Sequence, residues 1–260
     1  MTSVHERQIS ARPALREVAV LVSLLAAAGA CGQGGAGVRA GIEVLATDSA
    51  GLLAGLRVGL ITNHTGVSRE GVPSARLLIE SGIGVVALLA PEHGLGGSVA
   101  PGQPVPDHID DASGLPVHSL YGERLQPDST VLRNIDALVF DIQDIGARYY
   151  TYVGTMAQAM RAAARHDLLF VVADRPNPIG GELVQGNVLD SAFTSFVGPY
   201  PVAMRHGMTV GELAQMFNEE YSIGVDLRVI PASGWRRADW GDQTGLPWVR
   251  SGCPVSVSRP

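Results

Sequence analysis

Residues Asp136 to Tyr152 read DALVFDIQDIGARYYTY, and this stretch decides the fold. Ala137 to Phe140 is a short apolar run of the kind that forms a buried strand. At its end the chain turns abruptly polar, with Asp141, Gln143, Asp144 and Arg148 following one another closely. In open α/β sheets, ligands sit beyond the carboxyl ends of the strands. Two carboxylates, an amide, a guanidinium and the tyrosines Tyr149, Tyr150 and Tyr152 at such an end therefore read as a site. The competing reading is a solvated loop in which Asp144 caps the next helix.

The same switch from apolar run to polar end recurs along the chain. The run Arg57 to Ile61 stops in Thr62-Asn63-His64-Thr65-Gly66, and Gly84 to Ala90 empties into Pro91-Glu92-His93-Gly94-Leu95-Gly96-Gly97. Glycines so close to Glu92 and His93 suggest a backbone that must approach something closely. The Gly-x-Gly-Gly pattern lacks the spacing and the downstream acid of a dinucleotide fingerprint, which excludes a nucleotide reading. Leu168 to Ala173 gives way to Asp174-Arg175-Pro176-Asn177-Pro178, where Asp174 and Arg175 are either site residues or a structural ion pair. Ser74 to Ser81, Tyr150 to His166 and Val210 to Tyr221 have helical spacing. Thr209 and Glu212 form a capping box for the last of these. His206, just before that cap, lies where anionic ligands are favoured. Val99 to Ser113 is expected to be a long loop, a helix is expected near Pro127, and Asp226 to Ile230 is a final strand. This alternation predicts an α/β fold, a mostly parallel sheet with helices on both faces, over residues 41–230.

Composition narrows the chemistry. The chain has 260 residues, a hydrophobic content of 46% and a net charge of −6, which leaves no electrostatic footprint for nucleic acid. All 19 basic residues are arginine, and the absence of lysine removes Schiff-base, pyridoxal-phosphate and P-loop chemistry. No cofactor is expected. Arg7, Arg12 and Arg16 precede an apolar run from Val18 to Ala28, too short to span a bilayer, so residues 1–31 read as an export signal. Ala28-Gly29-Ala30-Cys31 resembles a bacterial lipobox, in which the cysteine is acylated and becomes the mature N-terminus. The expected location is the cell envelope, on a lipid anchor at Cys31, with residues 32–40 as a flexible tether. Cys253 is the only other cysteine, so no internal disulfide framework is expected.

Six motifs in order, TNHTG, PEHGLGG, LPVHSLYG, FDIQDIGARYYTY, DRPNPIGG and HGMTVGELA, resemble the exo-β-N-acetylmuramidase (NamZ-like) family. The resemblance covers about Gly41 to Trp248. It implies a Rossmann-like domain joined to a smaller C-terminal domain, and a glycoside hydrolase that removes N-acetylmuramic acid from the non-reducing end of peptidoglycan fragments. It also implies that Glu92 is the catalytic carboxylate. The family pattern is not continued after Trp248, so residues 231–260 are expected to be the start of a truncated C-terminal region.

Glycoside cleavage generally uses one carboxylic acid and one carboxylate. Glu92 is the candidate acid, Asp141 or Asp144 its partner, and His93 a group that tunes them. Asn63, His64, Gln143, Arg148, Tyr150, Asp174, Arg175, Asn177 and His206 are the candidate substrate contacts. Among these, Arg148 or Arg175 could grip the lactyl carboxylate of muramic acid. Two other readings compete. A metal-dependent hydrolase would use His64, Glu92, His93 and Asp141, although no H-x-x-x-H or H-E-x-x-H spacing is present. A surface-anchored binder of wall fragments would need the arginines and aromatics but not Glu92.

Overall fold

The computed structural model describes residues 37–250. The export signal, Cys31 and Cys253 lie outside the described residues. The order begins α1 (Gly41–Thr47), β1 (Arg57–Thr62), α2 (Ser74–Glu80), β2 (Gly84–Ala90), β3 (His108–Ile109), β4 (Pro116–Ser119) and α3 (Ser129–Leu132). It continues β5 (Ala137–Asp141), α4 (Thr151–Arg165), β6 (Leu169–Ala173), β7 (Gln185–Val188), β8 (Ala203–Arg205), α5 (Val210–Glu220), β9 (Asp226–Ile230) and α6 (Gly241–Thr244). Seven strands form one sheet in the order β3-β4-β2-β1-β5-β6-β9. Every pair is parallel except β3 with β4 at the edge.

The strands are apolar throughout because both faces of the sheet are covered, so successive side chains enter different cores. Ile61, Leu89, Leu138, Phe140 and Phe170 face one core with Met156 and Met160 of α4 and Phe217 of α5. Their strand neighbours Leu60, Leu88, Val139 and Val171 face the other, with Ile42 and Leu45 of α1 and Leu78 of α2. The chain runs from β1 outward to β2 and β4 on one side, then returns to β5, β6 and β9 on the other. The crevice between β1 and β5 is thus a topological switch point, where open sheets of this kind place their ligands.

Several expectations change. The tether expected over 32–40 does not hold for residues 38–40, where Val38 and Ala40 are buried and Arg39 pairs with Ser233 through main-chain hydrogen bonds. Arg39 thereby ties residues beyond 230 to the same body, and Gly241 donates to the Pro178 carbonyl, so the described part of 231–250 packs on the sheet domain. The expected long loop 99–113 contains edge strand β3. The helix expected near Pro127 is a single turn, started by Asp128, whose carboxylate accepts from the Thr130 and Val131 amides. The β7–β8 hairpin was not expected at all.

Candidate active site at the carboxyl ends of the strands

The loops after β1, β2, β5 and β6 leave neighbouring parallel strands at one rim. Registration of Ile61 with Leu89 and of Thr62 with Asp141 brings the β1 loop alongside those of β2 and β5. In the β1 loop, the Asn63 side-chain oxygen accepts from the Thr65 amide (2.9 Å) and hydroxyl (2.6 Å), closing an Asx turn. The Thr65 hydroxyl then accepts from the Gln143 amide at 3.0 Å, stitching the β1 and β5 loops together. The His64 Nε2 lies 2.5 Å from the Arg250 carbonyl. A cavity of about 220 Å³ opens beside Asn63 and His64, bounded by Pro73, Leu95 and Asp110.

The β2 loop carries Glu92, which is 8% exposed. Its Oε1 accepts from the Gly102 amide at 3.2 Å. The Tyr121 phenol lies against the same carboxylate, a contact that holds the phenol above its ordinary pKa. Tyr152, in the first turn of α4, donates to the Glu92 carbonyl at 3.4 Å. Burial pushes its hydroxyl far up, with Tyr150 and Asn63 beside it. The Tyr150 and Tyr152 rings meet edge to face at 4.6 Å. His93 sits in the left-handed region at φ 71°, a conformation costing a non-glycine residue of order 1 kcal/mol and common at functional sites. Its Nδ1 lies 2.8 Å from the Val99 carbonyl, fixing the glycine-rich loop.

Asp141 is not the free partner carboxylate that its position suggested. It is fully buried, and Arg175 grips it in bidentate fashion, Nε to Oδ1 at 2.6 Å and Nη2 to Oδ2 at 2.9 Å. Ser74 at the start of α2 also donates to Oδ2. A carboxylate with both oxygens spent on a guanidinium holds loops together and cannot also take a substrate proton. Arg175 is equally committed, with Nη2 also reaching the Val67 carbonyl at 2.9 Å, so it does not grip a lactyl group. Nor does it pair with Asp174. The Asp174 Oδ1 accepts from the Arg175 and Gly211 amides (2.9 and 2.8 Å), and its Oδ2 from the Thr209 hydroxyl (2.7 Å). It anchors the start of α5.

Two amides expected to touch substrate are structural as well. Gln143 Nε2 donates to the Asp144 and Pro176 carbonyls, and Asn177 Nδ2 to the Met208 carbonyl. Arg148 spends Nη1 on the Asn187 and Val202 carbonyls. Asp144 and His206, by contrast, form a buried pair of different character. The His206 Nδ1 accepts from the Met208 amide at 3.1 Å, and its Nε2 lies 3.5 Å from Asp144 Oδ2 without a hydrogen bond to it. Asp144 does not cap α4. Its Oδ2 accepts from the Gly146 amide at 2.8 Å, and its buried Oδ1 has no hydrogen-bond partner among the described residues.

Residues 58–256 match the family model described as exo-beta-N-acetylmuramidase NamZ, N-terminal. The chain belongs to this family. It is 46% identical over 213 residues to the peptidoglycan beta-N-acetylmuramidase NamZ of Bacillus subtilis (strain 168), covering 82% of this chain and 51% of that protein. Among solved structures it is similar to a DUF1343 family protein from Bacteroides fragilis NCTC 9343, at TM-score 0.77 and 44% identity, over 83% of this chain and 55% of that one. A second DUF1343 family protein from the same organism matches at TM-score 0.66 and 33% identity, over 78% of this chain and 54% of that one. The chain spans about half the length of these relatives.

Within this NamZ-family domain, Asp141 is spent on Arg175 and Asp174 on three donors at the start of α5, which leaves Glu92 and Asp144 as the less committed carboxylates of the rim. Tyr121 is the functional candidate that sequence reasoning left out, whereas Tyr152 was among the tyrosines read as part of the site. Tyr121 lies in the LPVHSLYG motif, which was its signal. Among the described residues, no three His, Cys, Asp or Glu side chains converge as metal ligands. In particular, the set His64, Glu92, His93 and Asp141 is broken by the commitment of Asp141 to Arg175.

Proposed function

We propose that this chain is an exo-acting glycoside hydrolase that releases N-acetylmuramic acid from the non-reducing end of peptidoglycan fragments. The carrying observation is Glu92: a mostly buried carboxyl at the sheet rim, held by one amide and one phenol and by no cation. A rim carboxyl with no cation on it is open to proton exchange with the leaving glycosidic oxygen. Asp144, held by the Gly146 amide and lying beside His206, is our choice for the second carboxylate, serving water or the developing positive charge. The name of the Bacillus subtilis relative supports the sugar assigned.

The direct test is product analysis by mass spectrometry on a wall fragment with muramic acid at its non-reducing end. The expected product is free N-acetylmuramic acid plus a fragment shorter by that one sugar. Cleavage within the fragment, or saturable binding with no cleavage, contradicts the proposal and favours, respectively, an endo-acting enzyme and a binding module.

We further propose that the chain is exported and anchored through Cys31, from the basic flank, short apolar run and lipobox-like sequence before it. Radiolabelled palmitate should enter the wild-type chain and not Cys31→Ser. Equal labelling of the two would remove the anchor.

A further inference from the structure

Tyr152 and Tyr121 both meet Glu92, but at different parts of it. Tyr152 donates to the main-chain carbonyl at 3.4 Å, so it holds the loop. Tyr121 lies with its phenol against the carboxylate itself. Strand register puts it there. Ser119 pairs with Ala90 across β4 and β2, and the Leu120 amide donates to the Ala90 carbonyl at 2.8 Å. Tyr121 and Glu92 therefore each stand two residues beyond the last paired position of neighbouring parallel strands. The Ser119 hydroxyl braces the Tyr121 main chain at both ends, accepting from its amide at 3.1 Å and donating to its carbonyl at 3.0 Å. Phe196 backs the ring, 6.3 Å away between centroids, and the Phe196 carbonyl is itself pressed close to Gly154 of α4. A phenol fixed through both its backbone and its ring has little freedom to leave the carboxylate.

A neutral phenol beside a carboxyl acts differently on its two protonation states. Its O–H donates to the carboxylate, as the Gly102 amide does to Oε1 at 3.2 Å, and both bonds favour the ionised form. That is the form proton delivery leaves behind. When the Glu92 O–H bond breaks, the proton goes to the glycosidic oxygen and the electron pair stays on the carboxylate, where both donors are already in place. We propose that Tyr121 is a positioning residue for this hydrolysis, orienting the Glu92 carboxyl and stabilising the charge that develops on it as the proton leaves. The role rests on the hydrolase reading, because it takes Glu92 as the proton donor. The other charged and titratable groups nearby are engaged elsewhere. Asp107 accepts from the Ser119 amide at 2.8 Å and pairs with Arg124, which also reaches Asp128 at 3.6 Å. His93 faces the Val99 carbonyl, and Glu123 is exposed to solvent.

The test reads the carboxyl directly. In the full chain, isotope-labelled at its glutamate carboxyl carbons, the Glu92 signal is assigned by its loss in Glu92→Gln and followed against pH. Tyr121→Phe keeps the ring on Phe196 and removes only the hydroxyl, so the Glu92 midpoint should rise by about one pH unit. Tyr152→Phe removes a donor to the main chain and should leave that midpoint in place. On a non-reducing-end muramyl disaccharide, Tyr121→Phe should lower kcat about tenfold and keep KM within about twofold. The alkaline limb of its pH profile should move up with the carboxyl midpoint. An unmoved midpoint in Tyr121→Phe, an equal rise in Tyr152→Phe, or a raised KM at unchanged kcat overturns the proposal. The carboxyl titration needs no turnover. A midpoint that moves in a chain releasing no muramic acid therefore refutes the hydrolase reading and leaves the hold of Tyr121 on Glu92 standing.

Discussion

At the scale of single residues, four carboxylates on one rim have separate fates set by their neighbours. Asp141 is locked by Arg175 and Ser74, so its loss strands a buried guanidinium. Breaking one side of a buried ion pair costs about 3–5 kcal/mol. Asp141→Ala should therefore lower the urea midpoint by that equivalent, and a midpoint near wild type would show the pair to be dispensable. Asp174 is different. Burial raises its carboxyl to about 6, against the three donors that favour its charge. The folded chain thus holds this proton more tightly than the unfolded chain. Its contribution to stability is complete below about pH 4 and is lost as pH rises through about 6. The amount is roughly 3 kcal/mol. Asp107 and Asp136, both lowered to about 2, titrate outside that window. Urea midpoints should therefore fall between about pH 4 and 6 in wild type and stay flatter in Asp174→Asn, which keeps the acceptor for the amides. Parallel profiles for the two proteins would contradict this.

At the scale of elements, the structure shows why some were legible and others were not. Strand β9 and helix α5 start where the sequence indicates, because α5 opens on a capping box in which Thr209 and Glu212 satisfy each other's amides. The two central cores were legible from continuous apolar runs such as Val85 to Ala90. The β7–β8 hairpin was not, since Gln185, Gly186 and Asn187 are polar and exposed and the hairpin buries little. Site roles were the least legible. Motif position placed Asp141, Asp174, Arg175 and Asn177 at the rim, but only three-dimensional partners reveal that each is already occupied. Gly154 in α4 gives a test at this scale. A Cβ there would meet the Phe196 carbonyl oxygen at 2.0 Å. Alanine should gain about 1 kcal/mol of helix propensity, yet forcing apart two main-chain segments outweighs that gain. Gly154→Ala should lower the melting temperature, and a rise would show that the 190s segment yields easily.

At the scale of the whole molecule, the order of strands does the organising. Leaving β1 in one direction for β2 and in the other for β5 opens a crevice at one rim, and the loops that carry Asn63, Glu92, Asp144 and Asp174 all exit there. The structural members hold the loops, with Asp141 and Arg175 linking β5 to β6, Thr65 linking β1 to β5, and Tyr152 linking α4 to the β2 loop. Glu92 and Asp144 are left with the capacity to act. That division of labour was beyond the sequence, where all the polar strand ends look alike.

The central claim is that Glu92 supplies the proton and the rest of the rim supports it. The most direct measurement compares the wild-type chain with Glu92→Gln on a non-reducing-end muramyl disaccharide, following muramic acid release and, by calorimetry, binding. The account predicts that kcat falls by about 100-fold or more while the dissociation constant stays within about threefold. Release of muramic acid by Glu92→Gln at near wild-type rate would contradict it.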